Sequence, residues 1–289
     1  MNRGKRIEQI AGILETIRNG ASEERAAGLV SLFAFAQTDP GALIDVLLGC
    51  LNLLRGGEIT PADVNPYIPA ITATWDRCVS AIQAFERRGD SEGRDADEYQ
   101  KLSFLARIAL DLLVYAADDE DARPVLRQAL ALSDPHVKMA AVMWLLRRGD
   151  SVDPADIEAV ASNPQVRATF WGELKKLQLT DVMPARWKAP AELAASDLTR
   201  WIAHPSEMGA PPSEIELMQT FPVETDEGEA EVYLFRFREF PKPWAPGEGW
   251  MAGIASRYLD GDRYESAWSS FDRWDAMSPE KHFEKLFYR

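Results

Sequence analysis

The hydrophobic positions in the first two-thirds of the chain recur at the spacing of an α-helix. Between residues 99 and 113, apolar side chains follow one another at steps of three and four, which places them on one face of a helix. No alternating strand pattern of useful length interrupts residues 5–178. The spacing predicts helices over residues 5–18, 22–37, 40–54, 67–88, 97–116, 120–131, 134–148, 153–161 and 164–177.

Capping residues and prolines punctuate this helical pattern. At four sites an Asp or Asn precedes a proline, so that a side chain can cap the helix while proline occupies its first turn. These sites are Asp39-Pro40, Asp134-Pro135, Asp153-Pro154 and Asn163-Pro164. We therefore expect short connections between successive helices.

Two of these sites open an internal repeat. Residues 134–138 read Asp-Pro-His-Val-Lys, and residues 163–167 read Asn-Pro-Gln-Val-Arg. The first unit, residues 126–150, resembles a HEAT repeat, in which pairs of helices stack because one pair alone cannot bury its apolar face. The resemblance implies a HEAT-like α-solenoid built from antiparallel helix pairs.

The pattern changes near residue 180, where prolines become frequent and strands replace most helices. Residues 230–240 alternate, with Val232 and Tyr233 on opposite faces, which predicts a half-buried strand. The short links between strands favour an antiparallel sheet of about four strands. Further strands are predicted at Ile215–Phe221, Gly249–Tyr258 and Ala267–Trp274, and helices at 190–203 and 279–287.

The expected architecture is therefore mainly α-helical, followed by a small α+β domain. We place the helical array at residues 1–185 and the α+β domain at 186–289. The segment Trp201, Pro205, Glu207 and Gly209 lies at their junction, and a partly buried Glu207 carboxylate is expected to lock it by accepting backbone amide hydrogen bonds.

Four segments of the tail resemble an uncharacterised group of bacterial HEAT-repeat-like proteins with a conserved α+β C-terminal domain. They are residues 201–217, 233–238, 249–254 and 269–282. The resemblance implies an immunity-type protein, which would bind a cognate toxin effector and neutralise it by blocking its active site. The group continues its Gly-Trp-Met-x-Gly-Ile strand with a Gly-Pro pair, whereas this chain carries Ser256-Arg257, so no role of that turn is carried over.

The net charge of the chain excludes some classes of binding partner. The 289 residues include 46 acidic and 32 basic side chains, for a formal net charge of −14. Affinity for nucleic acids and for anionic membranes comes from Lys and Arg, so we expect neither as a partner. Residues 213–289 hold 16 acidic and 9 basic side chains and are therefore the more acidic part of the chain for their length. We expect a monomer that binds a basic protein.

Cysteine content and hydropathy bear on the compartment. Cys50 and Cys78 each lie within an apolar helical pattern, which predicts buried free thiols. The N-terminal residues run directly into an amphipathic helix, and no segment has the length and apolarity of a membrane span. We therefore expect a cytoplasmic protein.

Catalytic, metal and nucleotide motifs are not found in the sequence, and we expect no enzyme activity, no cofactor and no metal. The three histidines lie in separate elements; His136 and His282 are expected at the surface, His282 on an ion-pairing helix face. The first alternative is an enzyme of unknown substrate that uses His204 with Glu207. A general HEAT-type scaffold is another, and a DNA-repair HEAT protein would require a local basic stripe.

Two acidic runs are the candidate protein-binding residues. The first lies on the predicted turn between two strands and contains Glu224, Asp226, Glu227, Glu229 and Glu231. The second contains Asp118, Asp119, Glu120 and Asp121. Acidic patches steer basic partners and raise association rates. The second run also fits a helix N-terminus, where acidic side chains complement the exposed amides.

Overall fold

The computed structural model describes residues 3–88, 96–116, 119–204, 206–225, 228–238, 249–258 and 269–288. The chain forms two compact units, one made of Met1–Asp90 and Glu98–Trp144 and the other of Leu145–Arg289. The sequence-based limit between residues 185 and 186 falls inside the second unit. The predicted class is confirmed, because a mainly helical part precedes a small α+β part with an antiparallel sheet.

The first unit is helical. Its helices are α1 (Arg3–Asn19), α2 (Ser22–Thr38), α3 (Leu43–Gly56), α4 (Pro61–Val64), α5 (Ile68–Arg88), α6 (Ala96–Ala116), α7 (Asp119–Ala131) and α8 (Pro135–Arg147), the last of which continues into the second unit. Short 3₁₀ turns precede α3 at Pro40–Ala42 and α5 at Asn65–Tyr67. Cys50 and Cys78 are both buried and unbonded, as predicted.

Side-chain caps fix where several helices begin. The carboxylate of Asp134 accepts hydrogen bonds from the amides of His136 at 3.0 Å and Val137 at 2.9 Å. Asp39 and Asp153 cap the turns that follow them in the same way. The caps predicted from these aspartates are confirmed, because a carboxylate satisfies amides that the first helical turn leaves without a partner.

The second unit combines helices with one sheet. Its helices are α9 (Pro154–Ser162), α10 (Arg167–Lys176), α11 (Pro190–Ile202) and α12 (Pro279–Phe287), with 3₁₀ turns at Thr180–Val182 and Ala185–Lys188. Its strands are β1 (Glu214–Thr225), β2 (Gly228–Arg238), β3 (Trp250–Tyr258) and β4 (Ser269–Arg273). Neighbouring strands pair antiparallel in the order β1-β2-β3-β4, which confirms the predicted antiparallel sheet.

Both faces of β2 are buried, so the expectation of a half-buried strand was wrong. Tyr233 and Phe235 pack with α11 on one face of the sheet. Val232 and Leu234 pack with α12 on the opposite face. The physical reason is that an amphipathic helix covers each face of the sheet. Successive side chains of β2 therefore enter two different apolar clusters, and neither set faces water.

Gly253 allows α11 to approach β3 closely. A Cβ atom at this position would lie 2.8 Å from a methyl carbon of Leu198 and 2.9 Å from the ring of Phe237. A larger residue would force the buried side chains of Leu198 and Phe237 to move, so the second glycine of the Gly-Trp-Met-x-Gly-Ile segment has a packing role.

Candidate protein-binding surface

The hairpin formed by β1 and β2 carries the first acidic run. The two strands stay paired as far as Thr225 and Gly228, which confirms that the run lies at a turn between strands. Asp226 and Glu227 lie outside the described residues. Gly228 has a φ of +130°, a conformation that other residues rarely adopt, so this glycine serves the turn geometry.

Two exposed glutamates face each other across the hairpin. Glu224 and Glu229 are direct partners in the β1–β2 register. Directly opposed side chains in an antiparallel pair have Cβ atoms about 5 Å apart, and like charges at that spacing destabilise the pair. Within the described part of the chain, neither carboxylate forms an ion pair. Among the described residues, no cation compensates the two negative charges at this end of the hairpin; we call Glu224 and Glu229 the hairpin carboxylates.

Glu231 lies on the same face of β2 as Glu229, but its carboxylate has a different environment. The Tyr233 hydroxyl donates a hydrogen bond to the Glu231 carboxylate. Burial, with this hydrogen bond as a further cause, raises the pKa of Tyr233 above its ordinary value. Glu231 also lies directly opposite Arg257 on β3. This carboxylate is therefore bound within the fold, whereas no described residue forms an ion pair with the hairpin carboxylates.

Arg257 connects the sheet to α11. Its guanidinium donates to the Asp197 carboxylate at 2.6 Å, and a second guanidinium, that of Arg200, lies 3.7 Å from the same carboxylate. Burial raises the pKa of Asp197 and lowers the pKa of Arg257. Arg257, to which the sequence analysis assigned no role, thus forms a buried ion pair.

The second acidic run lies at the start of α7. Helix α7 begins at Asp119, and Glu120 and Asp121 are exposed in its first turn. Asp118 and the side chain of Asp119 lie outside the described residues. Carboxylates at this place complement the amides at the helix N-terminus, which accounts for the run without a ligand.

The junction segment is closed by its main chain rather than by Glu207. The amides of Glu207 and Gly209 donate to the carbonyl oxygen of His204 at 2.9 and 3.2 Å. The Glu207 side chain is exposed, so the expectation of a partly buried carboxylate that locks the turn was wrong. Gly209 has a φ of +72°, a left-handed conformation that glycine adopts without strain. Pro205 lies outside the described residues.

Apolar contacts secure both ends of this junction segment. The Trp201 ring contacts the edge of Phe271 with 5.1 Å between ring centroids. Met208 is buried in the cluster between α11 and the sheet. The turn is held in place because Trp201 and Met208 pack in that cluster. The spacing of residues within the segment did not predict these contacts.

The polar side chains of the junction turn form a short exposed chain. Nδ1 of His204 lies 2.8 Å from Oγ of Ser206, which donates at 3.3 Å to Oε1 of Glu207. The serine stands between the imidazole and the carboxylate, whereas a catalytic triad places the imidazole in the middle. The arrangement therefore does not orient His204 as a base through Glu207.

His282 is buried, so its predicted exposed position was wrong. Its ring stacks on Trp274 with 4.3 Å between centroids, and its Nε2 lies 3.1 Å from the carbonyl oxygen of Asp275. Nδ1 is buried, and no hydrogen-bond partner for it is found among the described residues. The signal that was missed is the spacing to Leu286, which places His282 one turn earlier on the apolar face of α12.

Neither a metal-binding cluster nor a membrane-spanning helix is found in the described ranges of the chain. No group of three or more His, Cys, Asp or Glu side chains there could hold a metal ion. None of the helices there has the length and apolar character needed to cross a membrane. Comparisons with protein-family models, with curated proteins and with solved structures found no match.

Proposed function

We propose that this chain is a non-enzymatic protein-binding module that uses the hairpin carboxylates to bind a basic partner. The observation that carries the proposal is the direct opposition of Glu224 and Glu229, exposed and without a compensating cation among the described residues. Such a pair weakens the hairpin by a few tenths of a kcal/mol up to about 1 kcal/mol. A basic partner would remove this repulsion on binding, so the arrangement favours a complex over the free protein.

The partner class follows from charge and from the family resemblance. A net charge of −14 attracts basic proteins over long range and raises their association rate. The resemblance to immunity-type proteins assigns this partner to a toxin effector encoded beside this chain, whose active site the complex would block. A cytoplasmic location belongs to the same proposal, since two unbonded cysteines suit a reducing compartment.

The test compares two double variants for binding to the product of the neighbouring reading frame. Glu224→Gln/Glu229→Gln removes both hairpin carboxylates. Glu8→Gln/Glu15→Gln removes two exposed carboxylates from α1 and has the same net charge. We expect the hairpin variant to associate about tenfold more slowly than the α1 variant, and the wild-type rate to fall with added salt.

The stability of the hairpin variant serves as the control for folding. Removing the like-charge pair should leave the free energy of unfolding unchanged or raise it by about 0.5 kcal/mol. A general scaffold that does not use the hairpin would bind equally well in both variants. The proposal fails in that case, and it also fails if no neighbouring product binds and none is toxic when expressed alone.

A further inference from the structure

Helix α2 has apolar side chains on two opposite sides. Its inner side is buried within the first unit and contains Gly28, Leu29, Leu32 and Phe33. Its outer side faces solvent but carries Val30, which is 60% exposed. A helix that is apolar all round is normally covered on all sides. The core of the first unit therefore accounts for only one side of α2.

The outer side of α2 carries a regular row of residues. Glu23, Ala27, Val30, Ala34 and Gln37 are all exposed and follow one another at alternating steps of four and three. This is the spacing of the residues that face a partner helix in a coiled coil. We call these five residues the outer row of α2. Because an alanine lies on each side of Val30, a facing helix could approach to about 8 Å between the helix axes.

The centre of the outer row lies in a segment without charged residues. Residues 26–38 contain no Asp, Glu, Lys or Arg in 13 positions, whereas charged residues make up 27% of the chain. The outer face of a terminal helix in a helical array is normally polar, because it faces water. Two copies of a chain with a net charge of −14 repel each other, and local repulsion is smallest where neither surface is charged. The composition of this segment therefore favours contact with a second copy.

A lysine and a glutamate lie at opposite ends of the pair formed by α1 and α2. Arg6, near the start of α1, forms an ion pair at 2.9 Å with Asp39, which follows α2, so the start of α1 lies beside the end of α2. Lys5 is exposed at that end, and Glu23 is exposed in the first turn of α2 at the other end. Among the described residues, no ion pair involves Lys5 or Glu23. Both charges are therefore available to a second copy.

We propose that the outer row of α2 is the interface of a symmetric dimer of this chain. In a dimer with its two-fold axis at Val30 and perpendicular to α2, the two α2 helices run antiparallel. Ala27 then lies opposite Ala34 of the partner subunit. Glu23 lies at the end of the interface that carries the partner subunit's Lys5, and the same pair forms again by symmetry. A parallel dimer would instead place Glu23 beside Glu23 and Lys5 beside Lys5, so the charges favour the antiparallel arrangement.

The size of this surface predicts a weak dimer. A helix of 17 residues is about 25 Å long and, with its side chains, about 10 Å wide. This strip is smaller than the roughly 800 Å² per partner of a standard interface, and small interfaces are typical of transient complexes. We therefore expect reversible dimerisation with a dissociation constant on the order of 10 μM. The monomer expected from the sequence is then the form of the protein at lower concentrations.

Sedimentation velocity over a range of protein concentrations measures this dimerisation. Val30→Glu places two like charges at the two-fold axis, and Ser80→Glu adds the same charge at an exposed position of α5. Lys5→Glu and Glu23→Lys each reverse one charge, and Lys5→Glu/Glu23→Lys exchanges the two. Lys281→Glu reverses an exposed lysine elsewhere and matches the net charge of Lys5→Glu. Circular dichroism verifies that each variant is folded.

We expect the wild type, Ser80→Glu and Lys281→Glu to dimerise equally. Val30→Glu should weaken dimerisation by about a hundredfold, because it buries two carboxylates without a cation. Lys5→Glu and Glu23→Lys should each weaken it by about tenfold, because two ion pairs become two repulsions, and the exchange of the two charges should restore the wild-type dissociation constant.

A wild type that stays monomeric would overturn the proposal, whether or not a different protein binds at Val30. Equal dimerisation by Val30→Glu and Ser80→Glu would overturn it as well. If the exchange of Lys5 and Glu23 does not restore dimerisation, the antiparallel arrangement is wrong. The hairpin carboxylates are unchanged in every variant, so these results do not depend on the proposed function.

Discussion

The ion pair between Asp197 on α11 and Arg257 on β3 is held almost out of water. The two side chains are 9% and 13% exposed and 2.6 Å apart. For both, the loss of hydration outweighs the attraction of the partner, since burial raises the pKa of Asp197 and lowers that of Arg257. Removing one partner leaves the other charge buried without a counter-ion. Replacing both residues by apolar side chains instead removes both desolvation penalties. We therefore expect Arg257→Met to destabilise the fold alone but not together with Asp197→Leu.

The loss of free energy of unfolding in Arg257→Met depends on which cations remain near the Asp197 carboxylate. Breaking a buried ion pair lowers the free energy of unfolding by about 3–5 kcal/mol. Arg200 lies 3.7 Å from Asp197, but its side chain is 50% exposed, so it compensates the stranded carboxylate only in part. We therefore expect Arg257→Met to lose about 3 kcal/mol, at the lower end of that range. The double variant should match the wild type or exceed it by about 1–4 kcal/mol.

The pH dependence separates this electrostatic effect from a loss of packing. Without Arg257, burial should raise the pKa of Asp197 further. A carboxyl group with a raised folded-state pKa stabilises the fold below its unfolded pKa, about 3.9, and this contribution is lost as the pH rises through the folded-state pKa. The gap in free energy of unfolding between wild type and Arg257→Met should therefore be small in acid and widen toward neutral pH.

Urea denaturation followed by tryptophan fluorescence provides the assay. Seven of the nine tryptophans lie in Leu145–Arg289, so the signal reports mainly on the unit that contains the pair. A loss in the double variant equal to the sum of the two single losses, about 6 kcal/mol, would contradict an electrostatic origin of the destabilisation. A difference between wild type and Arg257→Met that does not change with pH would contradict it as well.

Three further changes test other parts of the fold. His282→Ala should lower the free energy of unfolding by about 3 kcal/mol, because it removes a fully buried ring from Trp274, and His282→Phe should recover most of that loss in the same denaturation assay. Cys50 and Cys78 should react with Ellman's reagent only after unfolding, since burial raises their thiol pKa values to about 12 and about 11; rapid reaction of the native protein would contradict this. Pro222→Thr should increase self-association in sedimentation velocity, because proline protects the edge strand β1, and an unchanged sedimentation coefficient would contradict it.

Helices and strands could be predicted from the sequence where a periodic hydrophobic pattern runs over many residues or a capping residue marks the start. Helix α12 was predicted at its observed limits, with Ser278 before its first residue. Helix α4 was missed because its four residues are too few to show a helical period; a capping box between Thr60 and Asp63 sets its start instead. Strand β1 extends four residues beyond its predicted end because pairing with β2 continues through Pro222 and through the polar Glu224 and Thr225, which do not continue a hydrophobic pattern.

The candidate sites, too, could be predicted from the sequence only in part. The position of the acidic run on a hairpin was predictable, because the turn lies between two alternating segments. The opposition of Glu224 and Glu229 was not, since it depends on a register that shifts at a bulge between Leu217 and Gln219. The pair of Asp197 and Arg257 joins residues 60 positions apart, and only the packing of α11 on the sheet brings them together.

The affinity of a basic partner for the hairpin carboxylates should also depend on the salt concentration. At physiological ionic strength the Debye length is about 8 Å, so a partner close to one surface is influenced mainly by nearby charges. At low ionic strength the whole net charge of −14 contributes. For a basic partner at the hairpin, local and global attraction add, and affinity should fall steadily as salt is added.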